Sequence, residues 1–150
     1  MPSTNRSATP SSGGAATAEN GRVEVAADTD IVLARQRGRA LALGLGFGAA
    51  HATLLATAIS ELARNIVLYA GTGEIVVGRV DGGERFGVVI VARDSGPGIT
   101  DIKLAISQGY STSGGLGLGL PGVRRIMDEF EIDSEPGHGT TVRVIKWQRL

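Results

Sequence analysis

A chain of 150 residues is long enough to bury one continuous core but too short for two ordinary domains. Its 15 basic and 15 acidic side chains give a net charge of zero, so we expect neither nucleic acid nor a membrane surface as a partner. Cysteine is absent, which excludes disulfides and thiolate chemistry and agrees with a reducing compartment, so the expected location is the cytoplasm.

The composition of the first 21 residues predicts a disordered tail. A single domain is expected over residues 22–150. The tail is rich in Ser, Thr, Ala, Gly and Pro and has no hydrophobic period. Such a segment cannot bury enough apolar surface to offset its ordering entropy. It also lacks the apolar central region of a secretory signal.

A short strand and two helices are predicted next. Val23–Ala27 alternates like a strand, and Asp28 or Asp30 can cap a helix over Ile31–Leu43. A second helix is expected over Ala49–Tyr69, because Gly-Thr-Gly follows it.

The stretch from Ala40 to Ser60 carries no charged residue, which raises the question of a membrane helix. Three glycines, Gly44, Gly46 and Gly48, crowd its middle, where a true span should be predominantly apolar. We therefore predict two helices that meet at a glycine turn.

Two strands are predicted over Glu74–Val80 and Phe86–Arg93, because an Asp-Gly-Gly turn signal joins them. A loop punctuated by glycine, Asp94–Ile99, then leads to a short helix near Asp101–Ser107. The segment Gly109–Gly119 is too rich in glycine for a regular element.

The last predicted elements are a helix over Leu120–Phe130 and a strand pair, Glu131–Ser134 and Thr140–Trp147, across a Pro-Gly turn. Strands grouped after two long helices favour an α+β fold. We expect a two-layer sandwich with the helices on one face of a mixed β-sheet.

The second predicted helix carries a carboxylate and an amide four residues apart, Glu61 and Asn65. This spacing places both side chains on one helix face. Burying them without partners would be costly, and charged residues are mostly exposed, so a polar stripe that faces water is the simple alternative.

An acid at a strand end, Asp94, is followed by Gly96 and Gly98. Glycine lets the backbone approach a flat ligand closely, and a carboxylate accepts a hydrogen bond from an exocyclic amine. An ordinary tight turn gives the same pattern, so this segment alone is a weak signal.

Glycine alternates with leucine from Gly115 to Gly119, directly after hydroxyl side chains at Ser111, Thr112 and Ser113. Backbone amides freed by glycine at a helix N-terminus form an anion cradle. A dinucleotide fingerprint can be drawn through residues 117–122, but no strand immediately precedes it. The sequence also lacks the Walker lysine motif and the His-Arg-Asp loop of protein kinases.

Together these segments resemble the nucleotide-binding motifs of the GHKL ATPases and kinases, which share the Bergerat fold. Glu61 with Asn65 resembles the N box, and Asp94 with its two glycines resembles the G1 box. The glycines of residues 115–119 resemble the G2 box, and Gly139-Thr140 resembles the later Gly-Thr element. The four elements occur in the order that the family has.

Three stretches look like the RsbT-type switch kinases of bacterial stress signalling in particular. They are residues 58–65, residues 109–117 and the ending Ile145-Lys146-Trp147. The resemblance implies a protein serine/threonine kinase that requires ATP and Mg²⁺.

Under this resemblance Asn65 ligates Mg²⁺ that bridges the ATP phosphates, Asp94 binds the adenine amino group, and Glu61 is the candidate general base. The other residues implied to contact the nucleotide are Gly96, Gly98, Ile99, Thr112, Ser113, Gly114, Gly115, Leu116, Gly117, Leu118, Gly119 and Thr140. Histidine kinases carry a lysine three positions after the N-box asparagine, where this chain has Leu68. With Lys103 and Lys146 as its only lysines, the chain is expected to neutralise phosphate through Mg²⁺ and loop amides, and Arg64 is one candidate for an additional cation.

The resemblance also implies partners. RsbT-type proteins phosphorylate a STAS-domain scaffold and, once released, activate a PP2C-type phosphatase. Two alternatives stay open: an anti-sigma factor kinase that holds a sigma factor directly, and a nucleotide-binding docking module without catalysis.

Overall fold

The computed structural model describes residues 21–99 and 119–148. In these residues three α-helices pack on one face of a five-stranded sheet, which confirms the predicted α+β sandwich. Three predicted segments lie wholly or mostly outside the described residues: residues 1–20 of the tail predicted over 1–21, the helix near Asp101–Ser107, and residues 109–118 of the segment predicted over 109–119. Gly21, predicted as the end of the tail, is the first residue of a strand.

The helices and strands are β1 (Gly21–Val25), α1 (Asp28–Gly44), α2 (Ala49–Asn65), β2 (Gly73–Gly82), β3 (Arg85–Asp94), α3 (Gly119–Ile126), β4 (Glu129–Glu135) and β5 (Gly139–Trp147). One π-helical turn, Ile66–Ala70, continues α2.

The glycine turn between α1 and α2 is confirmed. Helix α1 ends at Gly44, α2 begins at Ala49, and Gly46 has a φ of 95°, a conformation that favours glycine. Asp30 lies in the first turn of α1, where its carboxylate accepts hydrogen bonds from the amides of Ala26 (2.9 Å) and Ala27 (3.1 Å). No helix in the described part of the chain is long and apolar enough to span a membrane.

The core lies between α2 and the sheet. A row of apolar residues on α2 meets the inward side chains of the central strands, since alternate strand residues share one face. The large side chains with less than 2% exposure include Leu55, Ile59, Leu62, Ile75, Val77, Val88, Ile90 and Val144. Burial of each such side chain contributes about 1.5–3 kcal/mol of transfer free energy, so α2 is held firmly against the sheet.

The sheet was expected to be mixed, and this part of the prediction is wrong. The strand order is β1-β2-β3-β5-β4, and all four neighbouring pairs are antiparallel. Strands β3 and β4 run in the same direction, as a strand-helix-strand connection suggests. The β4-β5 hairpin, however, places β5 between them, so no two neighbouring strands of the described residues are parallel.

The helix predicted over Leu120–Phe130 is shorter in the structure, because α3 ends at Ile126. Two contacts with β5 stop it. The side chain of Lys146 donates to the carbonyl of Ile126 (2.9 Å), and the amide of Asp128 donates to the carbonyl of Ile145 (2.9 Å). Sheet pairing then begins at Glu129.

Candidate nucleotide site

At the end of the sheet where β3 stops, directly paired residues of neighbouring strands form one row across the sheet. Asp94 pairs with Gly73 on β2 and with Thr140 on β5, and Thr140 pairs with Ser134 on β4. Directly opposed residues of antiparallel strands point to the same face. Ala92, two residues before Asp94, is buried in the core, so this row faces the helix layer. Strand pairing thus brings Asp94 and Thr140 together.

Asp94 is half-buried, and one oxygen of its carboxylate accepts a hydrogen bond from the protein. Oδ1 accepts the amide of Gly96 at 2.9 Å, which fixes the first turn of the loop after β3. The other oxygen forms no hydrogen bond with a described residue. An acceptor in this position suits a ligand that carries an amine.

Two glycines bring the backbone close to Asp94. Gly98 has a φ of 79°, and a Cβ there would overlap the carbonyl of Glu135. Gly139 has a φ of 96°, and a Cβ there would overlap the carbonyl of Asp94. Any other residue would therefore be strained and would push the loop away from the β4-β5 hairpin.

Ser134 joins this loop to the hairpin. Its hydroxyl accepts the amide of Ile99 (2.7 Å), donates to the carbonyl of Gly139 (3.1 Å) and lies 2.7 Å from the hydroxyl of Thr140. A serine hydroxyl has one proton, so Thr140 is the donor in the third contact. The lone pairs of Thr140 then remain available to a donor on a ligand.

Glu61 is buried on α2, with 7% exposure, so the alternative of a polar stripe facing water is wrong for this residue. Its Oε2 accepts from Arg64 at 3.1 Å, and its Oε1 accepts the amide of Gly119 at 3.1 Å. Gly119 is the first residue of α3, so a carboxylate lies at the positive end of that helix, where negative charge is stabilised.

Asn65, the last residue of α2, lies one helical turn after Glu61 and is half-buried. Its side chain forms no hydrogen bond with a described residue. The next residue, Ile66, packs against Gly73, where a Cβ would meet its Cγ2 at 2.9 Å. Since Gly73 pairs with Asp94, the end of α2 lies beside the row that carries Asp94.

The donor groups fit Mg²⁺ only in combination with a phosphorylated ligand. The described residues hold no group of three or more His, Asp or Glu side chains that could bind a metal on its own. Mg²⁺ is usually bound by one or two protein ligands together with substrate phosphates and water. The uncommitted amide of Asn65 suits that role.

Part of the predicted site lies outside the described residues. This part is residues 112–118, that is Thr112, Ser113, Gly114, Gly115, Leu116, Gly117 and Leu118, and Lys103 lies outside as well. Their expected contacts with phosphate stay predictions.

Lys146 is held far from the row that carries Asp94. Its ammonium group is bonded to the carbonyl of Ile126 and lies 3.6 Å from Asp128. Its strand partner is Val88, roughly 20 Å along β3 from Asp94. Lys146 therefore stabilises the other end of the sheet and does not supply a cation to this site.

Two residues gain roles that the sequence did not give them. Ser134 was predicted only as a strand residue. One predicted strand ends at Ser134 and the next begins at Thr140, and this pairing already placed Ser134 close to Thr140. Arg64, one candidate for a phosphate cation from the sequence, bonds Glu61 in the structure, and its contact with phosphate stays a prediction.

Comparisons with known proteins identify the family of the chain. Residues 50–149 match the family described as histidine kinase-, DNA gyrase B-, and HSP90-like ATPase. The chain is 53% identical over 127 residues to "Serine/threonine-protein kinase RsbT" of Bacillus subtilis (strain 168), which covers 85% of this chain and 96% of the relative.

More distant relatives are named as anti-sigma factors. "Anti-sigma F factor" of Bacillus subtilis (strain 168) is 34% identical over 100 residues, which covers 63% of this chain and 68% of that protein. The protein of the same name from Thermoanaerobacter sp. (strain X514) is 31% identical over 97 residues, which covers 61% and 66%. The chain therefore belongs to the histidine kinase-, DNA gyrase B- and HSP90-like ATPases and, within them, to the RsbT-type serine/threonine kinases.

Proposed function

We propose that this kinase transfers the γ-phosphoryl group of ATP, with Mg²⁺, to a serine or threonine hydroxyl of a STAS-domain regulatory protein. When it is released from that partner, it activates a PP2C-type phosphatase. The switch operates in the cytoplasm, where ATP is available.

The residues of the site divide the work between base recognition and phosphoryl transfer. Asp94 and Thr140 present acceptors to the adenine amine, while Asn65 offers an amide oxygen at the end of α2. Mg²⁺, when bound with ATP, neutralises charge on the phosphates. Glu61 accepts the proton of the attacking hydroxyl, which is a poor nucleophile at neutral pH without such a base.

The buried carboxylate of Glu61 is the observation that carries the proposal. A glutamate with 7% exposure is costly to bury without a role, and one turn separates it from Asn65. Helix α2 thus offers a base and a metal ligand on one face. Glu61 lies outside the row that carries Asp94 and Thr140, so we assign its carboxylate to the chemical step.

The choice of partner rests on similarity. Identity to the RsbT kinase extends over 85% of this chain, whereas the two anti-sigma F factors compared above align with 61% and 63% of it. This difference favours a STAS-domain substrate over direct capture of a sigma factor.

A transfer assay tests the proposed reaction. Labelled ATP, Mg²⁺ and candidate STAS-domain proteins are incubated with the wild type, with Glu61→Gln and with a matched control, Glu74→Gln. Glu74 is also a largely buried glutamate paired with arginine, but it pairs with Arg22 and Arg93 outside this site. We expect Glu61→Gln to bind ATP and to lose transfer by roughly a hundredfold or more, since general bases contribute 10²–10⁴-fold.

Equal transfer by wild type and Glu61→Gln would end the assignment of the base. Release of free phosphate without labelled protein would show a hydrolase instead of a kinase.

A binding and activation assay tests the partners. We expect the kinase to retain a STAS-domain protein in a pull-down and to raise the activity of a PP2C-type phosphatase. Retention of a sigma factor alone would instead favour the hypothesis that the protein is an anti-sigma factor kinase. If Glu61→Gln still activates the phosphatase, docking is separable from catalysis.

A further inference from the structure

Both oxygens of the Glu61 carboxylate are fixed by donors. Arg64, one turn later on the same helix, donates to Oε2 at 3.1 Å. The amide of Gly119, 58 residues away in sequence, donates to Oε1 at 3.1 Å. Charge-assisted hydrogen bonds of this kind fix orientation as well as distance.

The two donors do not use the full hydrogen-bonding capacity of the Glu61 carboxylate. An ionised carboxylate has about four lone-pair positions, and donors among the described residues use two of them. Each oxygen therefore keeps one position for a substrate hydroxyl. The Gly119 amide is part of the backbone at the start of α3, so the donor that side-chain replacement can remove is Arg64.

We propose that Arg64 is a positioning residue that holds Glu61 in the orientation needed to accept the substrate proton. This inference rests on the proposed function, because it gives Arg64 its effect only through Glu61. The side chain of Arg64 is 44% exposed and that of Glu61 is 10% exposed, so the pair joins an exposed cation to a buried carboxylate. A base displaced by 1 Å can lose about a hundredfold in rate.

A double-mutant cycle with Arg64→Ala, Glu61→Gln and the double variant tests the inference. We expect Arg64→Ala to lower kcat for phosphotransfer roughly ten- to a hundredfold, with the Kd for ATP and the KM for ATP unchanged. Arg64→Lys should restore part of kcat, since it keeps the cation but loses the fork of the guanidinium group. In the Glu61→Gln background, Arg64→Ala should cause no further loss.

Arg143→Ala is the matched control. The side chain of Arg143 is 41% exposed and lies 3.7 Å from the carboxylate of Glu131, but this pair lies on the face of the sheet opposite the helices. We expect its kcat to equal that of the wild type. Thermal unfolding of every variant checks that the loss of one exposed arginine leaves the fold intact.

An unchanged kcat in Arg64→Ala would overturn the inference. So would a weaker affinity for ATP, or an additional loss in the double variant, because either would show that Arg64 contacts phosphate. If the wild type labels no protein at all, the proposed function itself is wrong, and the role of Arg64 falls with it. Full activity of Glu61→Gln would refute the base, and with it any positioning of that base.

Discussion

We propose that the Asp94 carboxylate serves the loop and a ligand at the same time. One oxygen accepts the Gly96 amide, and Asp94 is the strand partner of Thr140, so the second oxygen is the proposed acceptor for a ligand. Replacing the carboxylate by an amide keeps an acceptor for Gly96 but turns an NH₂ group toward the ligand. Two donors then face each other.

We therefore expect Asp94→Asn to weaken ATP binding by roughly ten- to a hundredfold, the loss expected when a buried hydrogen bond to a charged group is removed. Isothermal titration calorimetry measures this change. Asp133→Asn is the control, because Asp133 is an exposed residue of β4 outside the site. Wild-type affinity in Asp94→Asn would show that this carboxylate does not contact adenine.

At the scale of elements, the β4-β5 hairpin holds the loop that follows β3. Ser134 bonds Ile99 in that loop, and the amide of Gly137 donates to the carbonyl of Pro97 at 2.7 Å. These contacts connect segments that are more than 30 residues apart in sequence. The loop is thereby held against the hairpin before any ligand binds.

Ser134→Ala should loosen this loop, because the amide of Ile99 loses its acceptor and the hydroxyl of Thr140 loses its partner. We expect a destabilisation of about 1–3 kcal/mol together with weaker ATP binding. Denaturant unfolding and nucleotide titration measure the two effects.

Ser60→Ala provides the comparison for Ser134→Ala. It also removes a hydroxyl, but one that bonds the Ala56 carbonyl of its own helix, so a smaller effect is expected. Equal losses in the two variants would refute a specific role for Ser134.

At the scale of the whole molecule, the two ends of the sheet have different tasks. The end at Asp94 carries the candidate site, and the opposite end is closed by the C-terminal strand. There Trp147 donates its indole N–H to Glu129 at 2.8 Å and stacks under Arg85, whose guanidinium carbon lies 4.0 Å from the ring centroid. Lys146 holds the end of α3 nearby.

Lys146→Met should therefore lower stability and leave the nucleotide site unchanged. It removes the donor to Ile126 and the cation beside Asp128, which we expect to cost about 1–3 kcal/mol. Chemical denaturation gives the stability, and calorimetry gives the Kd for ATP. A large loss of ATP affinity in a folded Lys146→Met protein would show that the two ends are coupled.

The sequence by itself predicted most of the elements and indicated which residues to test as the site. Local patterns predict the α1-α2 turn at Gly46, the β2-β3 hairpin and the loop after Asp94, because turn residues and hydrophobic periods act over short distances. The spacing of Glu61 and Asn65 likewise indicated a shared helix face. The order of motifs was enough to indicate the family.

Only the tertiary structure decided how these pieces meet. The antiparallel sheet depends on β5 lying between β3 and β4, which no local pattern specifies. The early end of α3 depends on contacts with β5. The fixed orientation of Glu61 requires an amide 58 residues away, and the role of Ser134 requires three segments to converge. Such contacts arise from packing between distant parts of the chain, so they become visible only when the fold is complete.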